Sequence, residues 1–134
     1  MKIILDTNVF VSGVFFSGPP YRILKAWRNG LLKLVISEEI FEEYERVGAV
    51  LGKQFPMVDL QPILKLVKTR ARIYPVKCLP ESVAIDPDDD KFLACAIASR
   101  SKIIVSGDKH LLKVNGYREI KIIRPREFVG AYLE

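Results

Sequence analysis

Four acidic residues stand where carboxylates are unfavourable. Asp6 ends the apolar run Ile3-Ile4-Leu5, and Asp108 trails Ile103-Ile104-Val105 after Ser106-Gly107. Glu43 and Asp90 fall among the apolar positions of predicted helices. A desolvated negative charge needs a partner, and a cluster of them needs a cation. Oxygen-only ligands suit Mg2+ or Mn2+, and such ions activate water and neutralise phosphate charge. The residue types point to a divalent-metal site acting on phosphate esters.

Each acid also has a plainer reading. Asp6, followed by Thr7 and Asn8, could cap a following helical turn. Glu43 lies in an acidic stretch with Glu38, Glu39, Glu42 and Glu45. At about 100° per residue, Ile40, Tyr44, Val47 and Val50 form the apolar stripe of a helix. Glu43 falls between Val47 and Val50 on that wheel, Glu42 and Glu45 point away, and Glu39 sits near the edge as its competitor. Asp86-Pro87-Asp88-Asp89-Asp90 suits a turn leading into a helix N-terminus, yet three consecutive aspartates exceed what capping needs. Asp90 aligns with Leu93 and Ile97, and Asp89 with Leu93 and Ala96, so register does not separate them. His110, the only histidine, reads as a surface or capping group. With no serine or cysteine paired to it, triad catalysis has little support.

The elements that must position these groups alternate. Strands are predicted over 2–5, 34–36, 73–76, 103–105 and 121–123. Helices are predicted over 19–28, 38–51, 58–71 and 88–100, with a short one opened by Pro125 and a loop over 77–87. Pro19 and Pro20 start the first helix, Asn29-Gly30 stop it, and Ser37 is an N-cap. Alternation of this kind implies a parallel sheet with right-handed crossovers, an α/β fold of three layers (α/β/α). Ligands in such folds bind beyond the carboxyl ends of the strands, where strand order reverses. If the strands ending near Asp6 and Asp108 are neighbours, their acids meet there.

The chain has 134 residues, which predicts one domain over 1–134 with a substantial core. No apolar run approaches the ~18 residues of a membrane span, and the run at 9–16 is too short and too polar in its flanks for a signal peptide. Cys78 and Cys95 lack metal-ligand spacing, and Cys95 reads as a small core residue; a reducing, cytoplasmic location is expected. Phe15, Phe16, Tyr21 and Trp27 fit a core better than an interface. The net charge is +5, from 21 Lys and Arg against 16 Asp and Glu. If the four acids share one pocket, the remaining surface is more basic still, and it favours a polyanion.

Four segments in order resemble the PIN-domain family, named for the PilT N-terminus. Leu5-Asp6-Thr7-Asn8-Val9 is similar to the family's opening, and Ser37-Glu38-Glu39-Ile40-Phe41-Glu42-Glu43-Tyr44 to its second segment. Asp86-Pro87-Asp88-Asp89-Asp90-Lys91-Phe92-Leu93-Ala94-Cys95-Ala96 resembles the third, and Ser106-Gly107-Asp108-Lys109-His110-Leu111-Leu112 the fourth. The resemblance implies a PIN-like nuclease fold and Mg2+- or Mn2+-dependent hydrolysis of RNA. It makes Asp6, Glu43, Asp90 and Asp108 the catalytic and metal-binding acids, with Asn8 and Ser106 in support. It further implies single-stranded RNA as substrate, an antitoxin protein as partner of a ribonuclease toxin, and a homodimer or higher oligomer. A phosphatase of the aspartate type would want a second aspartate where Asn8 stands. The remaining alternative is a non-catalytic module that binds RNA or protein.

Overall fold

The strands are short apolar runs: β1 (Lys2–Leu5), β2 (Lys33–Ile36), β3 (Arg72–Ile73), β4 (Ile103–Val105) and β5 (Lys121–Ile123). The computed structural model describes residues 1–76 and 87–134. Ile3, Ile4 and Leu5 are fully buried, as expected of a central strand covered on both faces. All neighbouring strands are parallel, in the order β3-β2-β1-β4-β5.

From β1 the chain steps outward to β2 and β3, then returns to β4 on the far side of β1 and ends at β5. With right-handed crossovers, those two directions send helices to opposite faces. One face takes α1 (Thr7–Phe15), α2 (Pro19–Arg28), α3 (Glu38–Gln54) and α4 (Gln61–Arg70); the other takes α5 (Asp90–Ser99). The short α6 (Lys109–Leu112) leads to β5, and α7 (Pro125–Phe128) returns to pack on α2. This is the three-layer α/β/α arrangement. Because β1 lies between β2 and β4, the reversal of strand order falls at the carboxyl end of β1.

Several expected bounds move. The apolar run after Asp6 forms a full helix, α1, which the alternation had left unassigned. It is hydrophobic nearly all round, so no one-sided stripe marks it; Val9, Phe10, Val11 and Phe15 are all buried. Helix α3 runs through Gly52 to Gln54, and α4 begins only at Gln61, with Pro62 in its first turn. Strand β3 is limited to two residues. The predicted loop at 77–87 lies outside the described residues up to 86, as do Cys78 and Asp86.

The core joins the layers through Phe10 of α1 and Tyr44 of α3, whose rings stack with centroids 4.1 Å apart. Phe15 and Trp27 are core residues, whereas Phe16 and Tyr21 are exposed. Burial pushes the Cys95 thiol up to about 12, which fits an inert core side chain. Gly13 lets α1 and α2 approach closely. A Cβ there would lie 2.6 Å from Leu24 Cδ1 and 2.8 Å from the Pro20 carbonyl oxygen. Gly13→Ala should therefore destabilise by about 1–3 kcal/mol through overpacking, measured by urea unfolding. A gain of about 1 kcal/mol, the helix-propensity effect alone, would show that the two helices do not meet as described.

The two edges of the sheet differ in charge. Where strands begin stand Lys2, Lys33, Arg72 and Lys121, with Lys102 just before β4. Arg70 joins them, donating from Nη1 to the Arg28 carbonyl at 3.1 Å. Where strands end stand Asp6, Glu38 and Asp108, with Lys109 and Arg124 exposed beside them. That acidic edge is where the strand order reverses.

Candidate active site at the carboxyl edge of the sheet

Strands β1 and β4 are direct neighbours, with Leu5 opposite Val105. The ladder continues past the strand: the Asp6 amide donates to the Val105 carbonyl at 3.0 Å, and the Ser106 amide to the Ile123 carbonyl at 2.9 Å. Asp6 and Ser106 are therefore fixed side by side by backbone pairing. The Ser106 hydroxyl, fully buried, donates to Asp6 Oδ2 at 2.6 Å and accepts from the Asp108 amide at 3.0 Å. One serine thus sets the relation between the two strand-end aspartates.

Asp6 is only 5% exposed. It occupies the N-cap position of α1 but makes no side-chain cap bond, because its carboxylate turns to Ser106. The capping explanation of this residue fails. Burial raises the Asp6 pKa, and the charges of Asp108 and Glu43 raise it further, against the lowering effects of Ser106 and the Thr7 backbone. Asp6 thus feels the charge of both other acids. Asp108 is half-buried; its Oδ1 accepts from the His110 amide at 2.9 Å, capping α6.

Glu43 leans inward, as the helical wheel predicts: its side chain is 12% exposed, while Glu38, Glu39, Glu42 and Glu45 are exposed. Gly48, packed on Leu60, takes the inward place expected of Val50, which is exposed. Tyr44, the next residue, is fully buried and donates its hydroxyl to the Leu5 carbonyl at 2.5 Å. This bond ties α3 to the end of β1, one residue before Asp6. The phenol is held well above its usual pKa by burial and then by Asp6, so it remains a donor.

What satisfies Glu43 is a finding that sequence reasoning missed. The Thr7 hydroxyl donates to its Oε1, the Lys91 ammonium pairs with its Oε2, and Arg46 Nη2 lies 3.5 Å from Oε2. Lys91 also pairs with Asp88 Oδ2 at 3.0 Å and donates to the Asp88 carbonyl at 3.0 Å. Burial pulls the Lys91 pKa down, but Glu43 and Asp88 outweigh it and hold the ammonium above its ordinary value. One signal was available: a lysine in the first turn of a helix opposes the helix dipole. Such a cation needs an acid to explain it.

The third segment enters through a 3-10 turn, Pro87–Asp89, followed by α5. Burial separates the aspartates that register could not: Asp88 is exposed, Asp90 half-buried and Asp89 buried. Asn8, expected in support, is exposed; Thr7 makes the contact to Glu43 instead. As arranged, no three acidic, histidine or cysteine side chains among the described residues are grouped to hold one ion. The donors nonetheless suit a hard cation in kind. Asp6 and Asp108 supply carboxylates from adjoining strand ends, and the Asp6 pKa is raised by burial first and by its acidic neighbours second.

A family model described as PIN domain matches residues 2–110, from β1 through Asp108 and into α6. The chain belongs to the PIN-domain family. No individual curated protein matches it significantly. PIN domains are generally nucleases, and those nucleases generally act on RNA, usually with divalent metal ions. This PIN domain carries its matched segments on the elements described above: β1 and α1, α3, α5, and the end of β4. No helix among the described residues is long and apolar enough to cross a membrane.

Proposed function

We propose that this PIN domain is an endoribonuclease dependent on Mg2+ or Mn2+ that hydrolyses phosphodiester bonds of single-stranded RNA. The observation that carries the proposal is the buried Asp6 carboxylate at the strand-order reversal, its pKa raised by burial and by Asp108 and Glu43. Asp6 and Asp108 would hold the ion, with an aspartate of the third segment, and Glu43 completes the acidic cluster. The bound ion supplies Lewis acidity, lowering the pKa of a water and offsetting charge on the phosphate. Ser106 orients Asp6, and Tyr44 fixes the strand end that bears it. Glu43, tied to an ammonium, is poorly placed to accept a proton; Asp89 or Asp90 is the better general base. Arg46, Lys109, Arg124 and Arg126 follow the strand ends or flank them, and all are exposed. They are available to phosphates on either side of the scissile bond.

Family likeness alone supports the further parts of the proposal: a cytoplasmic toxin, an antitoxin protein whose arginine would reach the carboxylates, and a homodimer as the working assembly.

The test is a mixed single-stranded RNA pool incubated with Mg2+, Mn2+ or EDTA, followed by end mapping. Cleavage should need the cation. Asp89→Asn should lower the rate by at least about 100-fold, against about tenfold or less for Asp90→Asn, since Asp89 is the more buried of the two. The reverse order would return the role to Asp90. RNA binding without cleavage under either metal would favour a non-catalytic module.

A further inference from the structure

Among the described residues, Lys91 is the least exposed cation at the acidic edge, its side chain 4% accessible. It is the second residue of α5, yet its ammonium meets Glu43 of α3. An ammonium has three donors, and Lys91 has three acceptors: Glu43 Oε2, Asp88 Oδ2 and the Asp88 carbonyl. The Glu43 oxygens are equally committed, Oε1 to Thr7 and Oε2 to Lys91 and Arg46. The cation that an inward glutamate requires is therefore built into the chain.

We infer that Lys91 is the resident counter-ion of the carboxylate cluster. It holds Glu43 in place without any metal, and it competes with a divalent cation for that carboxylate. Glu43 then shapes the site through Lys91, and the ion is left to Asp6, Asp108 and the third-segment aspartate. The identity of the competing ion rests on the proposed nuclease reading; the holding of Glu43 does not. Two consequences follow from charge alone. Without Lys91 the metal-free protein has a carboxylate only 12% exposed with its main partner gone, which destabilises it. The same loss removes a positive charge near the ion, so divalent affinity rises.

Mn2+ binding by calorimetry and thermal unfolding in EDTA, on wild type, Lys91→Met, Lys91→Arg and the double variant Lys91→Met/Glu43→Gln, test this. Lys91→Met should unfold at a lower temperature in EDTA and bind Mn2+ about tenfold more tightly. The double variant should recover most of the lost melting temperature and return to within about threefold of wild-type affinity, since both partners are neutral. Lys91→Arg should behave as wild type in both measurements. Should Lys91→Met fail to fold in EDTA, the double variant carries the comparison. Wild-type binding that is not tightened in Lys91→Met, or a double variant no more stable than Lys91→Met, overturns the inference alone. Absence of Mn2+ binding by every variant overturns the nuclease reading and the competition together. A merely structural ion pair would move stability and leave affinity unchanged.

Discussion

Asp6→Asn is expected to reduce RNA cleavage by on the order of 10^3-fold or more, while leaving the metal-free protein at least as stable as wild type. Loss of partners that only orient metal ligands commonly costs 10- to 100-fold, and Asp6 is proposed as a ligand itself. The stability half follows from the sign of the pKa shift. Burial, then Asp108 and Glu43, raises the Asp6 pKa in the folded protein. A raised carboxyl contributes stability that is full below its unfolded pKa and is lost as pH rises through the folded value. At neutral pH the ionised Asp6 is therefore a burden, and a neutral asparagine relieves it. Melting temperatures in EDTA should favour the variant at pH 7 and converge towards pH 4. The Mn2+-dependent rise in melting temperature seen for wild type should vanish in the variant. Retention of more than about a tenth of the activity would remove Asp6 from the chemistry.

Tyr44→Ala is the second large effect, and it falls on stability. The side chain is fully buried, stacks on Phe10 at 4.1 Å, and donates to the Leu5 carbonyl at 2.5 Å. Truncating a buried aromatic costs about 3–5 kcal/mol, and an orphaned buried carbonyl adds roughly 1–3 kcal/mol. Domains are stable by only about 5–15 kcal/mol, so the variant should unfold at far lower urea or not fold at all. Tyr44→Phe separates the two contributions: the ring stays, the bond goes, and the loss should be about 1–2 kcal/mol. A Tyr44→Phe protein as stable as wild type would show that the hydroxyl does not pin β1.

The sequence was most legible where local pattern and tertiary role agree. Apolar β-branched runs announced β1, β2, β4 and β5, Ser37 capped α3 through the Ile40 amide as expected, and the turn from Leu5 into Asp6 marked a strand end. The neighbour relation of β1 and β4, on which the meeting of Asp6 and Asp108 depended, came only from the fold. Helix α1 was missed because a helix buried nearly all round has no one-sided stripe to read. The bounds of α4 and β3 slipped because loop geometry and packing set them, not periodicity. At the site, the wheel places Glu43 inward, and the partner it meets in the structure is Lys91, which the pattern did not suggest. A lysine is read as a solvated charge until tertiary structure brings an acid to it. Asp89 and Asp90 were inseparable for a related reason: the turn Pro87–Asp89 precedes α5, so helical register does not extend back to the residue in question.

The opposite signs of the two sheet edges have a consequence for the order of events. A nucleic acid drawn to the exposed Arg46, Lys109, Arg124 and Arg126 around the carboxyl edge still meets like charge at Asp6 and Asp108, which a cation lodged between them offsets. On the proposed chemistry, ion and substrate are thermodynamically linked: whatever factor the ion adds to substrate affinity, the substrate adds to the ion's. The resting protein would then keep a strand at the basic rim, out of reach of the carboxylates, until the ion arrives, and a bound strand would in turn slow the ion's escape.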